Sequence, residues 1–237
     1  MAVTLPPTTD QLTLTWHALF AVHQRLPAGW CLVGGQLVHL LCAERGFEAI
    51  RPTLDADTVV DVRTDHSLLS RFTTTLVDLG FKSAGVSPEG HEHRWLRDDQ
   101  QIDVLVPGGL RNPGSVRGVT GATTVTTHGA QQALQRAEPV TVDVAGTVGT
   151  IHRPHLLGAL VMKAAAIWAD GANRHIEDFL TLAAIARPAD HIETATRADR
   201  RYLIAAIRAA REYLPQSHVP EASEALQAIE MRLAGQG

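Results

Sequence analysis

The chain has 237 residues, 45% of them apolar and 19% charged, enough to bury a core in one domain or two modest ones and against extended disorder. Its formal net charge of −4 and pI of about 6.3 exclude a protein that coats nucleic acid non-specifically, so any nucleic-acid contact must come from a local basic patch. Cys31 and Cys42 lie in apolar runs and make neither a disulfide framework nor zinc-type spacing, and no apolar run reaches the roughly 18–20 residues a membrane span needs, so the expectation is a soluble protein of a reducing cytoplasm, with no membrane partner.

In chain order, residues 9–26 read as an amphipathic helix entered from Thr8-Thr9-Asp10, and Trp30–Val33 as a short apolar strand. Gly34-Gly35 turns the chain into an apolar helix over 36–44, ended by Gly46. Residues 53–62 alternate with strand periodicity, and 65–79 return to helical spacing and stop at Gly80. Segments 93–96 and 101–106 flank Arg97-Asp98-Asp99-Gln100 as a hairpin, and 139–144 with 147–152 form a second one joined at Ala145-Gly146. Between them, 108–129 is rich in Gly, Thr and Ser with little periodicity, which predicts a long loop beside a site or a disordered insertion. From Pro154 the chain becomes helical, over about 154–169, 173–186, 196–214 and 221–234. The expected organisation is a mixed α/β unit over residues 1–152 and an all-helical unit over 153–237.

The chemistry concentrates around Asp55 and Asp57. Residues i and i+2 of a strand share a face, so the two carboxylates aim at one point. Magnesium takes hard oxygen ligands and is commonly held by one or two carboxylates together with substrate phosphates. A divalent ion would also remove the cost of placing two like charges side by side. Four features strengthen this reading over that of a solvated strand face. Gly34 and Gly35 let backbone N–H groups approach an anion at a helix start. Asp103 sits among strand-forming apolar residues and needs a partner, such as a metal shared with Asp55 and Asp57. Lys163 is a lone ammonium on an apolar helix, either snorkelling or directed at phosphate. Asp178 follows fifteen residues later, beyond a break at Asp170-Gly171, and can face Lys163 across a helical hairpin.

The order of these residues resembles the AbiEii-like nucleotidyltransferase-fold toxins, the toxin halves of type IV toxin–antitoxin systems. The matching positions are Gly34 and Gly35, Arg51-x-Thr53-x-Asp55-x-Asp57, Lys163 and Asp178, over roughly residues 30–186. One departure is Glu177, which stands where the family carries a basic residue, with Arg174 and His175 nearby. The resemblance implies an α/β nucleotidyltransferase core with a mixed sheet and a helical C-terminal domain, using Mg²⁺ (or Mn²⁺). It further implies an NTP donor, an RNA acceptor (tRNA among them) or a protein acceptor, and an antitoxin protein as a partner. Under it, Asp55, Asp57 and Asp103 are metal ligands, and Gly34, Gly35, Arg51, Thr53 and Lys163 bind the nucleotide. Asp55, Asp57, Lys163 and Asp178 form the catalytic set. A non-catalytic nucleotide-, RNA- or protein-binding module and an antibiotic nucleotidyltransferase remain alternative readings of the same residues.

Independently, Arg197, Arg200, Arg201, Arg208 and Arg211 fall within about a 100° arc of one helix, opposite Tyr202, Leu203, Ala206, Ala210 and Leu214. Five guanidinium groups on one stripe predict an acceptor surface for phosphate backbone or an acidic partner, or else a solvated face balanced by Asp199 and Glu212.

Overall fold

The computed structural model describes residues 2–235. Strand β1 (Val3–Thr4) leads to helix α1 (Asp10–Arg25), which starts where the Thr9 side chain accepts from the Leu12 N–H. Then come β2 (Trp30–Val33), α2 (Gly34–Ala43), β3 (Ala56–Val60), α3 (Leu68–Asp78), β4 (Lys82–Ser83), β5 (Arg94–Arg97) and β6 (Gln100–Pro107). After β7 (Val125–Thr127) and α4 (Ala130–Gln135), β8 (Ala137–Val144) and β9 (Thr147–Pro154) pair as the expected hairpin. The remaining elements are helices: α5 (Leu156–Asp170), α6 (Asn173–Ala184), α7 (Arg197–Tyr213) and α8 (Ala222–Ala234), with short 3₁₀ turns between them. Among the described residues, no helix is long and apolar enough to cross a membrane.

The larger sheet runs in the order β2-β3-β6-β5-β4, with β7 added to the far end of β6. It is mixed: β3 and β6 are parallel, while β2/β3, β5/β6 and β4/β5 are antiparallel. A smaller sheet holds β1, β8 and β9. On one face of the larger sheet, Ala56, Val60, Trp95, Ile102 and Val104 join a core that also takes in Trp16, Phe72, Phe179, Leu203 and Ile229. Burying side chains of this size contributes roughly 1.5–3 kcal/mol each, so apolar packing ties the helices of the C-terminal half to the sheet. The opposite face is covered only in part. Cys31, Val33 and Val59 pack under Ala130, Ala133 and Met162, from α4 and α5. Gly129 allows this approach, because a Cβ there would stand 2.9 Å from the Ala165 Cβ and 3.1 Å from the Met162 Cα.

Two sequence expectations need correction. The strand predicted over 53–62 is regular only over Ala56–Val60, so Asp55 lies just ahead of it. The reason is that the segment before Ala56 is held by side chains of α2 rather than by a ladder: Gln36 Nε2 donates to the Thr53 carbonyl at 2.8 Å and His39 Nε2 to the Arg51 carbonyl at 2.7 Å. The segment 108–129 is neither disordered nor a simple loop. It contains a 3₁₀ turn, Pro113–Ser115, and strand β7, and it buries Val116. Hydrogen bonds hold it in place of an apolar stripe: the Val119 N–H donates to Thr73 Oγ1 at 2.9 Å and Thr120 Oγ1 to Glu92 Oε2 at 2.5 Å. Such a segment carries little periodicity for a sequence to show.

Candidate active site

The site grows out of strand register. Val33 pairs with Asp57, Asp57 with Asp103, and Asp103 with Arg94, giving one lateral row across β2, β3, β6 and β5. Cross-strand partners share a face, so Asp57, Asp103 and Arg94 project to the same side. Asp55 stands two residues before Asp57. Each of Asp55, Asp57 and Asp103 offers a carboxylate oxygen within 4.8 Å of the others. Thr53 Oγ1 donates to Asp55 Oδ1 at 2.6 Å, fixing that carboxylate.

The Gly-Gly turn lies directly beneath. Gly34 opens α2 with φ of +70°, and a Cβ there would fall 1.8 Å from Asp57 Oδ2. At Gly35 a Cβ would meet Thr53 Cγ2 at 2.7 Å and the Arg51 guanidinium at 3.0 Å. Both glycines therefore make room for site side chains as well as exposing the first N–H groups of a helix, which favour an anion.

Two cations flank the acids. Lys163 on α5 is 5% exposed and donates to Asp178 Oδ2 on α6 at 2.6 Å. Arg51 bonds the same carboxylate through Nε to Oδ1 at 3.2 Å and through Nη2 to Oδ2 at 3.1 Å. Burial alone would raise the pKa of Asp178, but Lys163 and Arg51 outweigh it and hold the carboxyl below its ordinary value. Asp57 goes the other way. Its pKa is pushed up to about 6 by burial first and by the Asp55 and Asp103 charges, against the pull of Lys163 and Arg51. Four carboxylates, Asp55, Asp57, Asp103 and Asp178, meet three cations, Lys163, Arg51 and Arg94, so the site holds more negative charge than its own cations balance.

These features fit a hard divalent cation. The donors are carboxylate oxygens, they converge, and the surplus negative charge is centred on the most crowded of them. Asp55, Asp57 and Asp103 are the residues that would hold it. Arg94, missed from the sequence, bonds Asp103 through Nε to Oδ1 and Nη2 to Oδ2, both at 3.3 Å, and Gln101 Nε2 donates to Oδ1 at 3.1 Å. The signal that could have found it is the hairpin expected from 93–96 and 101–106, whose register sets Arg94 opposite Asp103.

The predicted residues 34, 35, 51, 53, 55, 57, 103, 163 and 178 therefore assemble in one place. The α7 stripe does not display five guanidinium groups. Arg200 turns inward, bonding the carbonyls of Ala195 at 3.0 Å, Glu193 at 2.8 Å and Leu233. Arg211 pairs with Glu230. It stays exposed nonetheless, as do Arg197, Arg201 and Arg208, so the stripe displays four of the five. Asp199 does not balance that face: it is fully buried, pairs with Arg136 at 2.6 Å and caps α7 with Thr196. Glu177 is turned away from the acids as well, accepting from Ser217 Oγ at 3.1 Å and from the His218 N–H at 3.3 Å.

Among solved structures, the chain is similar to an antigenic nucleotidyltransferase-like protein from Paracoccidioides brasiliensis, at 18% identity and a TM-score of 0.55, covering 94% of this chain and 95% of that one. A further match is the antibiotic-resistance factor ANT(2'')-Ia, at 13% identity and a TM-score of 0.45, over 86% of this chain and 95% of that one. No family model and no curated protein matches the sequence. The first of these likenesses, nearly full-length on both sides, shows the class of fold: the chain has a nucleotidyltransferase-like fold. On that fold it carries three converging carboxylates over a glycine turn.

Proposed function

We propose that the protein is a Mg²⁺-dependent nucleotidyltransferase that moves a nucleoside monophosphate from an NTP to a hydroxyl of an RNA or protein acceptor. The observation that carries the reading is the convergence of Asp55, Asp57 and Asp103 against Gly34, with Lys163 and Arg51 alongside. The order of the same residues along the chain resembles the AbiEii-like toxins. That resemblance supports an acceptor of this kind and an antitoxin as partner.

When bound, the divalent ion would neutralise triphosphate charge and polarise the α-phosphate. The chain's own residues supply the rest by positioning and charge. The first N–H groups of α2, at Gly34 and Gly35, receive phosphate oxygens. The acceptor oxygen forms a bond to the α-phosphorus while the bond from that phosphorus to pyrophosphate breaks. The hydroxyl proton passes to Asp103, on the side of the row away from Gly34. Lys163 and Arg51 offset the negative charge gathering on the departing pyrophosphate, and Asp178 holds both cations toward the site. Thr53 keeps Asp55 turned inward. The test is to incubate the wild type and Asp55→Ala with each α-labelled NTP, Mg²⁺, total cellular RNA and protein. Label should appear on one acceptor with the wild type and vanish with the variant; label transfer that survives Asp55→Ala would refute the assignment.

A further inference from the structure

The sheet face that carries the acids is covered at one end and bare at the other. Where α4 and α5 lie on it, Cys31, Val33 and Val59 are buried. Beyond Asp103 the same face continues across β5 and β4, where its side chains Arg94, Leu96 and Lys82 are exposed. Register states which side chains it bears. Arg94 pairs with Asp103, Leu96 with Gln101, and Lys82 with Leu96, so Asp103, Gln101, Arg94, Leu96 and Lys82 share this side. Their alternates Trp95 and Ile102 are buried in the core on the other face, whereas Lys82, Arg94 and Leu96 are exposed.

This platform is cationic where it adjoins the acids. Arg94 has its side chain 46% exposed while bonded to Asp103, and its Nη1 has no hydrogen-bond partner among the described residues. Lys82 stands one strand further out. With strands about 4.8 Å apart, β5 and β4 lie roughly 5 and 10 Å from the strand of Asp103, a span suited to successive phosphates of one chain. Lys82, paired with Leu96, stands two residues nearer the hairpin tip than Arg94, so a ligand touching both runs obliquely across the strands, with the exposed Asp98 and Asp99 bounding its path at the tip.

The direction of transfer decides which substrate meets this surface. Gly34 and Gly35 lie on the β2 side of the row, and Lys163 and Arg51 also act on Asp57. A donor triphosphate held there leaves pyrophosphate on that side, and in-line displacement brings the acceptor from the opposite one. That is the side of Arg94 and Lys82.

We propose that the bare half of the sheet face, through Arg94 and Lys82, binds backbone phosphates of an RNA acceptor. This rests on the nucleotidyltransferase reading and narrows it, since a cationic small molecule would gain nothing from these two residues. Arg94 has the further task of holding Asp103 in place, which makes it a positioning residue for that carboxylate as well as a phosphate contact.

The test reads binding directly, without turnover. The probe is a dye-labelled single-stranded oligoribonucleotide with a free 3′ hydroxyl, titrated against the full chain in Mg²⁺ at several salt concentrations. Arg94→Gln and Lys82→Gln should each weaken binding about three- to tenfold and reduce the salt slope by about 0.7 per lost contact. Arg94→Lys should retain most of the affinity, and Arg71→Gln on α3, an exposed arginine paired with Asp65, should leave it unchanged. Lys82 is exposed, so its variant stays informative even if Arg94→Gln folds poorly. Equal affinity and slope for the wild type and Lys82→Gln would overturn the proposal, as would a wild type that labels protein yet does not bind the probe. Conversely, binding that depends on both residues with no label transfer from any NTP would sustain the surface and remove the catalytic reading instead.

Discussion

Replacing Asp57 by Asn should stabilise the metal-free protein, and by an amount that depends on pH. The pKa of Asp57 rises from 3.8 to about 6 on folding. Between these values the folded state binds more protons than the unfolded one, so stability falls as pH rises through that window and levels off above it. A shift of about two units corresponds to roughly 3 kcal/mol at neutral pH, of which about 1 kcal/mol is already lost at pH 4.5. Asn is near in shape and carries no charge, so it lifts this cost: its advantage in chelator-treated urea melts should grow by about 2 kcal/mol from pH 4.5 to 7.5. Magnesium should reverse the ranking. At 1,000 times its dissociation constant an ion that binds only the folded state adds about 4.1 kcal/mol, a gain open to the wild type and closed to the variant. If Asp57→Asn destabilises the protein equally at both pH values, or if Mg²⁺ stabilises both proteins alike, the surplus of negative charge at this site is not real.

The buried Lys163–Asp178 pair should respond asymmetrically to the loss of either partner. Asp178→Asn leaves a buried ammonium unpaired and should cost about 3 kcal/mol in urea melts, whereas Lys163→Met leaves Asp178 bound to Arg51 and should cost about 1 kcal/mol; equal costs would contradict the shared clamp. Gly34→Ala combines a left-handed backbone penalty of roughly 1–2 kcal/mol with a Cβ placed on Asp57 Oδ2, so it should weaken Mn²⁺ binding by calorimetry at least tenfold without unfolding the chain. Unchanged affinity in that variant would remove Gly34 from the site.

Much of this protein is legible in its residues alone. The helices of the C-terminal half follow from apolar spacing and caps, as with Thr196 and Asp199 at the start of α7, because helices are built from near neighbours. The Gly-Gly turn and the paired acids Asp55 and Asp57 could be found for the same reason: the spacing that brings them together is local. The meeting of Asp103 with Asp57 belongs to another order of contact. It comes through a parallel pairing of β3 with β6, and strand register between distant segments leaves no periodic trace in either. The α7 stripe shows the complementary limit, since helical geometry gives the angle of every arginine but not what waits beside it: Arg200 meets the carbonyls of Ala195, Glu193 and Leu233, and Arg211 meets Glu230. Local spacing therefore determined the elements and the two leading acids, while only tertiary structure decided which charges are spent inside the fold and which remain for a ligand.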